Sequence, residues 1–282
     1  MPELPEVETI VRRLSQVLPG QTLGKVTVYH SKSFWGPAGK LSGLKIIDVS
    51  RRGKMIRLHL DRELNLLIHL KMTGQLIYVE GQTRLGGGHP TADWIRQLPS
   101  QHTRVECQLG SGGRLFFNDQ RIFGWMKLLN DQQIEQEWQK LRPDVIDPKL
   151  TVNYLWGRAK HRSIPVKQLL LDNQIIAGLG NIYVGEALNL AQISPFVPVS
   201  QLNLQQWIRL LAACRQVINR GIELGGTTFD GHYVNASGLA GEYQNQTLVY
   251  GRQGQNCYQC GGQIAKKKLA GRGTYYCLKC QA

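Results

Sequence analysis

The segment KMIRLHLDRELNLLIHL, residues 54–70, indicates most clearly how this chain folds. Its first half places Ile56, Leu58 and Leu60 in alternation with polar residues, which is the period of a β-strand with one buried face. The polar cluster LDRE ends this run, and a second apolar run, LNLLIHL, begins directly after it. Two short strands joined by a close turn are typical of an antiparallel pair.

Similar runs surround this segment across residues 24–129, namely QLIYVE, RVECQL and RLFFN, with clusters such as GSGG between them. Several short strands with close turns favour an antiparallel β-sandwich over a parallel sheet. The stretch GQTRLGGGHPTADW, residues 81–94, is predicted to be a loop, because Gly and Pro interrupt both helix and strand patterns.

The chain begins MPELPEVETIVRRLSQVL, residues 1–18, and two hypotheses explain this start. The first is a helix, since proline and acidic residues are favoured in a first helical turn and apolar residues follow at helical spacing. The second is catalysis, because removal of Met1 would expose the secondary amine of Pro2, a nucleophile that is partly neutral near neutral pH. Glu3 and Glu6 would share a helix face beside that amine and move protons there.

From about Asp131 the sequence changes to helical patterns, which predict a second domain. The predicted helices are DQQIEQEWQKL, TVNYLWGRA, PVKQLLLDN, NIYVGEALNLAQI and LNLQQWIRLLAACRQVINRGIEL. Asn181 is placed as the N-cap of the fourth helix. The free backbone N–H groups beyond it either bind a phosphate or are simply capped.

Four of the six cysteines form two close pairs, CYQC and CLKC, separated by the sixteen residues 261–276. Two such pairs predict a zinc site, because a tetrahedral ion takes four thiolates; structural disulfides are the alternative. The segment between the pairs predicts two short strands joined by a basic turn that contains residues 266–268 and Arg272. Cys107 and Cys214 stand alone and are predicted to be buried small hydrophobes.

The composition limits the class of protein and its partners. A chain of 282 residues can hold two domains, or one large domain with an appendage. Thirty-four Lys and Arg against twenty Asp and Glu give a net charge of +14, which favours a polyanionic partner such as nucleic acid. No apolar run approaches the roughly 18 residues of a membrane span, and the start lacks a signal-peptide pattern. These features predict a soluble intracellular protein without a membrane partner.

Six motifs occur in the order PELPEVET, RRGK, HLKMTG, DQRIFG, GLGNIY and GRGTYYCLKC. In this order they resemble the bacterial formamidopyrimidine-DNA glycosylase family over essentially the whole chain. The opening Pro-Glu-Leu-Pro differs from the related endonuclease VIII branch, which typically begins with Pro-Glu-Gly-Pro. The resemblance implies an α+β multidomain fold. Its parts are an N-terminal antiparallel β-sandwich flanked by helices (1–130), a helix-two-turn-helix domain (131–225), and a lesion-covering loop with a C-terminal β-hairpin zinc finger (226–282).

The resemblance also implies a bifunctional enzyme of base-excision repair, a DNA glycosylase for 8-oxoguanine and formamidopyrimidines that is also an AP lyase. Pro2 corresponds to the nucleophile that attacks the sugar C1′, and Glu3 to the proton donor, with Glu6 as a supporting carboxylate. Lys54 corresponds to the residue for β-elimination and Arg272 to the residue for δ-elimination. Both cations suit departing phosphates, whose charge they would stabilise.

A target base must leave the stack before it can be attacked. The resemblance implies that Met72, Arg121 and Phe123 fill the vacated space, with core packing as the alternative for Met72 and Phe123. Phosphate contacts are implied for four residues: His102, Arg162, Lys167 and Asn181. At Arg162 the neighbouring Lys160 is an alternative.

The implied ligands are one structural zinc ion and double-stranded DNA that contains oxidised bases or abasic sites. The implied zinc ligands are Cys257, Cys260, Cys277 and Cys280. The resemblance further implies a monomer in the bacterial cytoplasm, associated with the nucleoid.

One stretch departs from the family pattern. After GGTT many relatives place an apolar residue and then Lys or Arg over the extruded base, whereas this chain has Phe229, Asp230 and Gly231. The lesion preference therefore stays open, with an endonuclease VIII-like activity on oxidised pyrimidines as one alternative. A non-enzymatic zinc-ribbon protein that binds nucleic acid is the other.

Overall fold

The computed structural model describes residues 2–89, 97–227 and 241–281. The chain divides into two compact units, of which the first comprises Met1–Lys140 and Leu224–Glu242, and the second Leu141–Glu223 and Tyr243–Ala282. A compact unit can hold more than one sequence domain, so the three domains with boundaries at 130 and 225 stay a prediction. Among the described residues, no helix has the length and apolar character needed to cross a membrane.

The first unit is rich in strands. They are β1 (Leu23–Val28), β2 (Phe34–Trp35), β3 (Ile46–Arg52), β4 (Met55–Leu60), β5 (Leu64–His69), β6 (Gly74–Glu80), β7 (Thr83–Gly88), β8 (Thr103–Leu109), β9 (Arg114–Asp119) and β10 (Trp125–Asn130). Two helices flank them, α1 (Leu4–Leu14) and α2 (Asp131–Gln139).

These strands form two five-stranded sheets, with the orders β1-β8-β9-β6-β7 and β2-β10-β5-β4-β3. All neighbours pair antiparallel except β2 and β10, which pair in parallel over two residues. One hydrophobic core takes side chains from both sheets, including Leu58, Ile68 and Phe117. The predicted antiparallel β-sandwich is therefore confirmed, with one short parallel pair added.

The loop predicted for residues 81–94 is wrong over Thr83–Gly88, which forms β7 and pairs with β6. Glycine here serves close approach rather than a chain break. A Cβ on Gly86 would overlap the carbonyl oxygen of Leu76, so only glycine lets the two strands approach this closely. Residues 90–94 of the predicted loop lie outside the described residues.

The N-terminal helix α1 begins and ends differently from the prediction. Pro2 precedes the helix, Glu3 is its N-cap, and Pro5 occupies the first turn. The helix ends at Leu14 rather than Leu18. Its apolar face packs against β7 and β3, which places the N-terminus beside the sandwich.

The second unit contains the remaining helices and a β-hairpin. Its elements are α3 (Val152–Ala159), α4 (Val166–Leu170), α5 (Asn181–Leu190), α6 (Leu204–Glu223), β11 (Ile264–Leu269) and β12 (Arg272–Cys277). Gly180 rather than Asn181 is the N-cap of α5. The basic turn is also corrected, because residues 266–268 lie on β11, where their side chains alternate, and Arg272 begins β12.

Candidate functional site

The start of α1 places two carboxylates directly after Pro2. Pro2 is buried, and Glu3 and Glu6 are 3% and 4% exposed. The Glu3 backbone N–H donates to Glu6 Oε2 at 2.7 Å, and Glu6 Oε1 accepts from the Thr227 N–H at 2.8 Å and the Thr227 hydroxyl at 3.0 Å. Glu6 therefore fixes the backbone beside Pro2 and also holds Thr227 of the GGTT segment.

Gly226 packs against the same carboxylate. It has φ +88°, and a Cβ there would lie 2.9 Å from Glu6 Cγ, so this position requires glycine. The Glu242 N–H donates to the Leu224 carbonyl at 2.9 Å, which brings residues 224 and 242 together. The departure at Phe229, Asp230 and Gly231 lies outside the described residues.

Lys54 lies in the turn between β3 and β4, directly after Gly53 with φ +58°. Arg51, whose side chain is 7% exposed, donates from Nε to Glu8 Oε2 at 2.6 Å and from Nη1 to the Gly53 carbonyl at 3.3 Å. Burial raises the pKa of Glu8, but hydrogen bonds and charge from Arg12 and Arg51 outweigh it and hold that pKa below its ordinary value. This ion pair joins α1, which follows Pro2, to the turn that carries Lys54.

His69, which sequence analysis did not select, lies in the same electrostatic environment. Burial, and then the positive charges of Lys71 and Lys54, lower the pKa of His69 to about 3. Its Nδ1 accepts the Lys71 N–H at 3.0 Å, so the neutral ring carries its proton on Nε2. The only available signal was its position in HLKMTG, three residues before Met72.

The three residues expected to fill the space of an extruded base lie together, and we call them the void-filling triad. Met72 lies between β5 and β6, whereas Arg121 and Phe123 lie between β9 and β10. The Arg121 guanidinium is 4.7 Å from the Phe123 ring centroid, and its Nη1 donates to Met72 Sδ at 3.4 Å. Met72 is 40% and Phe123 51% exposed, which rules out core packing for both.

His102 lies just before β8 and is half-buried. Its N–H donates to the Ser100 hydroxyl at 3.1 Å, and its carbonyl accepts from the Asp119 N–H at 2.9 Å. The backbone of His102 is thus attached to the strand end that precedes Arg121.

In the second unit, Lys167 and Asn181 converge on the hairpin next to Arg272. The Lys167 ammonium, on a residue only 2% exposed, donates to Thr274 Oγ1 at 2.9 Å and to the Gly273 carbonyl at 3.4 Å. Asn181 Nδ2 donates to the same carbonyl at 3.1 Å, while its buried Oδ1 has no hydrogen-bond partner in the described residues. Arg272 is exposed at the start of β12. Two implied phosphate contacts therefore lie beside the residue implied for δ-elimination.

The other implied phosphate contact in this unit lies after α3. Arg162 is exposed, with its guanidinium 4.0 Å from the Asp172 carboxylate. Lys160 is exposed too, and its ammonium is 5.8 Å from the centre of the Trp156 ring. Both cations are available to a polyanion.

The four paired cysteines, Cys257, Cys260, Cys277 and Cys280, form one cluster, with all four sulfurs within 4.8 Å of one another. The Sγ atoms of the first and fourth are 3.8 Å apart and those of the second and third 3.4 Å, too long for a disulfide of about 2.05 Å. Four sulfurs at about 2.3 Å from a central ion are about 3.8 Å apart, so the cluster fits a tetrahedral metal.

The two remaining cysteines are buried, as predicted. Burial raises the pKa of Cys107 and of Cys214 to about 12, which keeps both as unreactive thiols.

Comparison with known proteins matches both units. The model of the formamidopyrimidine-DNA glycosylase N-terminal domain matches residues 1–126, and the model of the formamidopyrimidine-DNA glycosylase H2TH domain matches residues 141–232. The formamidopyrimidine-DNA glycosylase of Pelotomaculum thermopropionicum is 37% identical and is matched over 100% of this chain and 99% of its own length.

Two solved structures give the same result. MutM (Fpg) from Thermus thermophilus is 34% identical with a TM-score of 0.85, over 99% of this chain and 98% of that one. A Lactococcus lactis Fpg variant in complex with Fapy-dG-containing DNA is 29% identical with a TM-score of 0.87, over 99% of each chain. This chain belongs to the formamidopyrimidine-DNA glycosylase family of base-excision repair enzymes, which are DNA glycosylases with AP lyase activity.

Proposed function

We propose that this protein excises oxidised purines, 8-oxoguanine and formamidopyrimidines, from duplex DNA and then cleaves the strand. The observation that carries the proposal is the start of the chain, where Pro2 directly precedes a helix whose first buried carboxylates are Glu3 and Glu6. The Lactococcus lactis relative was solved with a formamidopyrimidine lesion in its DNA, which supports the substrate class.

In the proposed reaction, the Pro2 nitrogen of the processed chain forms a bond to C1′ while the bond from C1′ to the damaged base breaks. The base leaves with the bonding electron pair and is protonated, which balances the N–H proton that the Pro2 amine loses. Glu3 protonates the ring oxygen as the deoxyribose opens, which leaves a cationic iminium on Pro2. This cation acidifies the C2′ protons, and loss of one of them expels the 3′ phosphate. A second elimination expels the 5′ phosphate and leaves a one-nucleoside gap.

Glu6 has a supporting role in this proposal. Its two oxygens already accept hydrogen bonds from the Glu3 N–H and from Thr227, so it holds the backbone of the nucleophile in place. Lys54 serves β-elimination and Arg272 serves δ-elimination, each by stabilising a departing phosphate.

The void-filling triad is proposed to enter the space of the extruded base. Arg121 is exposed and offers guanidinium N–H groups to the orphaned partner base, and Phe123 presents an exposed ring that stacks against neighbouring bases. Exposed apolar side chains of this size are costly in water, and their burial against bases offsets part of the cost of unstacking.

The cysteine cluster is proposed to hold one structural zinc ion, which would stiffen the hairpin that carries Arg272. The proposed phosphate contacts are His102, Arg162, Lys167 and Asn181, with Lys160 as the alternative to Arg162. Lys167 would bind phosphate from its place under the hairpin, in exchange for its contact with the Gly273 carbonyl. We further propose that the protein acts as a monomer in the bacterial cytoplasm, at the nucleoid.

Borohydride trapping tests this function. Incubation with a duplex that contains 8-oxoguanine opposite cytosine should give a reduced covalent complex, and mass spectrometry should place the sugar on Pro2. An adduct on Lys54 would overturn the assigned nucleophile, and no adduct at all would favour a protein that only binds nucleic acid. A matched duplex with an oxidised pyrimidine shows whether purines are the preferred substrate.

A further inference from the structure

The void-filling triad comes from two separate turns, and one buried side chain joins them. Asp119, the last residue of β9, is 0% exposed. Its Oδ1 accepts the Thr73 hydroxyl and, at 3.2 Å, the Arg121 N–H, while its Oδ2 accepts the Gly124 N–H at 2.6 Å. One carboxylate therefore holds the turn that carries Met72 and both ends of the segment that carries Phe123.

The neighbouring groups make this arrangement rigid. Thr73 Oγ1 also accepts the Arg121 N–H at 3.0 Å, so the two turns are joined twice. The backbone of Asp119 is fixed as well, since its N–H donates to the His102 carbonyl at 2.9 Å and its carbonyl accepts from Arg104 Nε at 2.7 Å. A Cβ on Gly124 would lie 2.8 Å from the Phe117 ring and 3.1 Å from Asp119 Oδ2, so this position requires glycine.

The segment between the two backbone donors has an unusual conformation. Ile122 has φ +59°, a left-handed geometry that a β-branched residue rarely adopts. The bonds from Asp119 to Arg121 and Gly124 stand on either side of it and hold the chain in this state. The result is that the ring of Phe123 is directed outward, where it is 51% exposed and in contact with the Arg121 guanidinium.

We propose that Asp119 is a positioning residue for base extrusion, which it serves by holding Met72, Arg121 and Phe123 in one preformed group. This inference rests on the proposed function. Side chains that must enter a DNA stack act best when they are ordered beforehand, because ordering them during insertion costs free energy. Without the carboxylate, the hydroxyl of Thr73 and two backbone N–H groups lose their shared acceptor, and the bond from the Arg121 N–H to Thr73 Oγ1 is left to join the two turns.

The test compares single-turnover rates on two duplexes of one sequence, with either a paired 8-oxoguanine or a preformed abasic site. Asp119→Asn keeps one acceptor oxygen but places an amide NH₂ against the donors of the other, and it should slow excision of the paired lesion about tenfold or more, because the barrier then includes ordering of the triad. Cleavage at the abasic site should change less than about threefold, since less stacking has to be broken there. Asp61→Asn is the matched control, because Asp61 also accepts a backbone N–H, that of Lys45 at 3.1 Å, in an unrelated turn.

Thr73 gives a milder test in case Asp119→Asn folds poorly. Thr73→Val keeps the shape but removes the hydroxyl, and it should show the same selective loss. Thr73→Ser keeps the hydroxyl and should restore the rate on the paired lesion. In the background of Phe123→Ala, Asp119→Asn should cause a smaller further loss than in the original chain, because one of the three side chains that it positions is already absent.

A 2-aminopurine beside the lesion reports unstacking directly, and its fluorescence rise should be slower in Asp119→Asn. Equal losses on both duplexes would overturn the proposal, since Asp119 would then only support the fold. Unchanged excision of the paired lesion would overturn it too. If the unmodified chain gives no borohydride adduct on either duplex, the proposed function fails instead, and the fluorescence comparison still tests the positioning of the triad.

Discussion

At the scale of single residues, the first compact unit contains both a buried carboxylate, that of Glu6, and a neutral imidazole, that of His69. Glu6 is buried but satisfied by three donors, two of them backbone N–H groups and one a hydroxyl. His69 is kept neutral by burial and by two nearby lysines, and its proton remains on Nε2. Because this imidazole is neutral, it adds no positive charge to the environment of Lys54.

The low pKa of His69 predicts a pH dependence of stability. Unfolded His69 titrates near 6.5 and folded His69 near 3, so the unfolded state binds more protons between these values and stability falls as pH falls below about 6.5. From pH 7.5 to pH 5.0 the loss amounts to about 1–2 kcal/mol, with allowance for the partial exposure of the ring. His69→Asn keeps an acceptor for the Lys71 N–H and cannot titrate. Thermal unfolding at both pH values should therefore show a smaller fall in Tm for this variant than for the original chain; an identical fall would contradict the prediction.

At the scale of elements, local sequence pattern predicts most strands and helices but not their connections. The apolar patterns of residues 54–70 correctly predict β4 and β5, because side chains of both strands enter the core. It fails at β7, where glycines that permit close strand approach look like loop residues. The end of α1 was also missed, since Leu18 is buried at helical spacing although the helix has already ended.

Local sequence pattern likewise identifies only part of the candidate site. Pro2, Glu3 and the cysteine pairs are recognisable because their chemistry follows from neighbours in the chain. Asp119 and Arg51 were not selected, because their partners Thr73 and Glu8 lie 46 and 43 residues away. A hydrogen bond across such a distance exists only after the strands have paired, and no local pattern encodes it.

The ion pair between α1 and the β3–β4 turn gives a prediction at this scale. Arg51→Ala leaves a largely buried Glu8 with one exposed partner and should cost about 1–3 kcal/mol. Arg12→Ala is the matched control, since Arg12 also contacts Glu8, at 2.8 Å, but is 63% exposed and should cost less than about 1 kcal/mol. Denaturant unfolding measures both costs.

The same variants also test the link to chemistry. Because Arg51 holds the Gly53 carbonyl next to Lys54, Arg51→Ala should slow β-elimination at an abasic site more than it slows borohydride trapping at Pro2. If Arg51→Ala and Arg12→Ala lowered the free energy of unfolding equally and gave equal β-elimination rates, the Arg51–Glu8 ion pair would have no special role.

At the scale of the whole molecule, the net charge and the fold both indicate DNA as the partner. The chain carries +14, and each unit contributes exposed or converging cations, Arg121 in the first and Arg272 in the second. The cysteine cluster supports the hairpin of the second unit, where Gln281 also accepts the Cys277 N–H at 2.9 Å and an Asn189 N–H at 2.8 Å. These hydrogen bonds hold the hairpin to α5. Arg272 therefore lies on an element that is fixed within the second unit.

This distribution of charge predicts a steep dependence of DNA affinity on salt. Each phosphate neutralised on a duplex contributes about 0.9 to the fall of log affinity with log salt concentration, so several contacts give a slope of several units. Arg272→Ala should lower that slope by about one and weaken binding to damaged and undamaged duplexes alike, because phosphate contacts carry no base information. Arg220→Ala is the control, since its guanidinium is already paired with Glu223 at 3.0 Å and its loss should leave the slope unchanged. Fluorescence anisotropy across a salt series measures all three proteins. A flat response of the original chain would point to a ligand other than duplex DNA, whereas a steep slope that Arg272→Ala leaves intact would place the phosphate contacts elsewhere on the molecule.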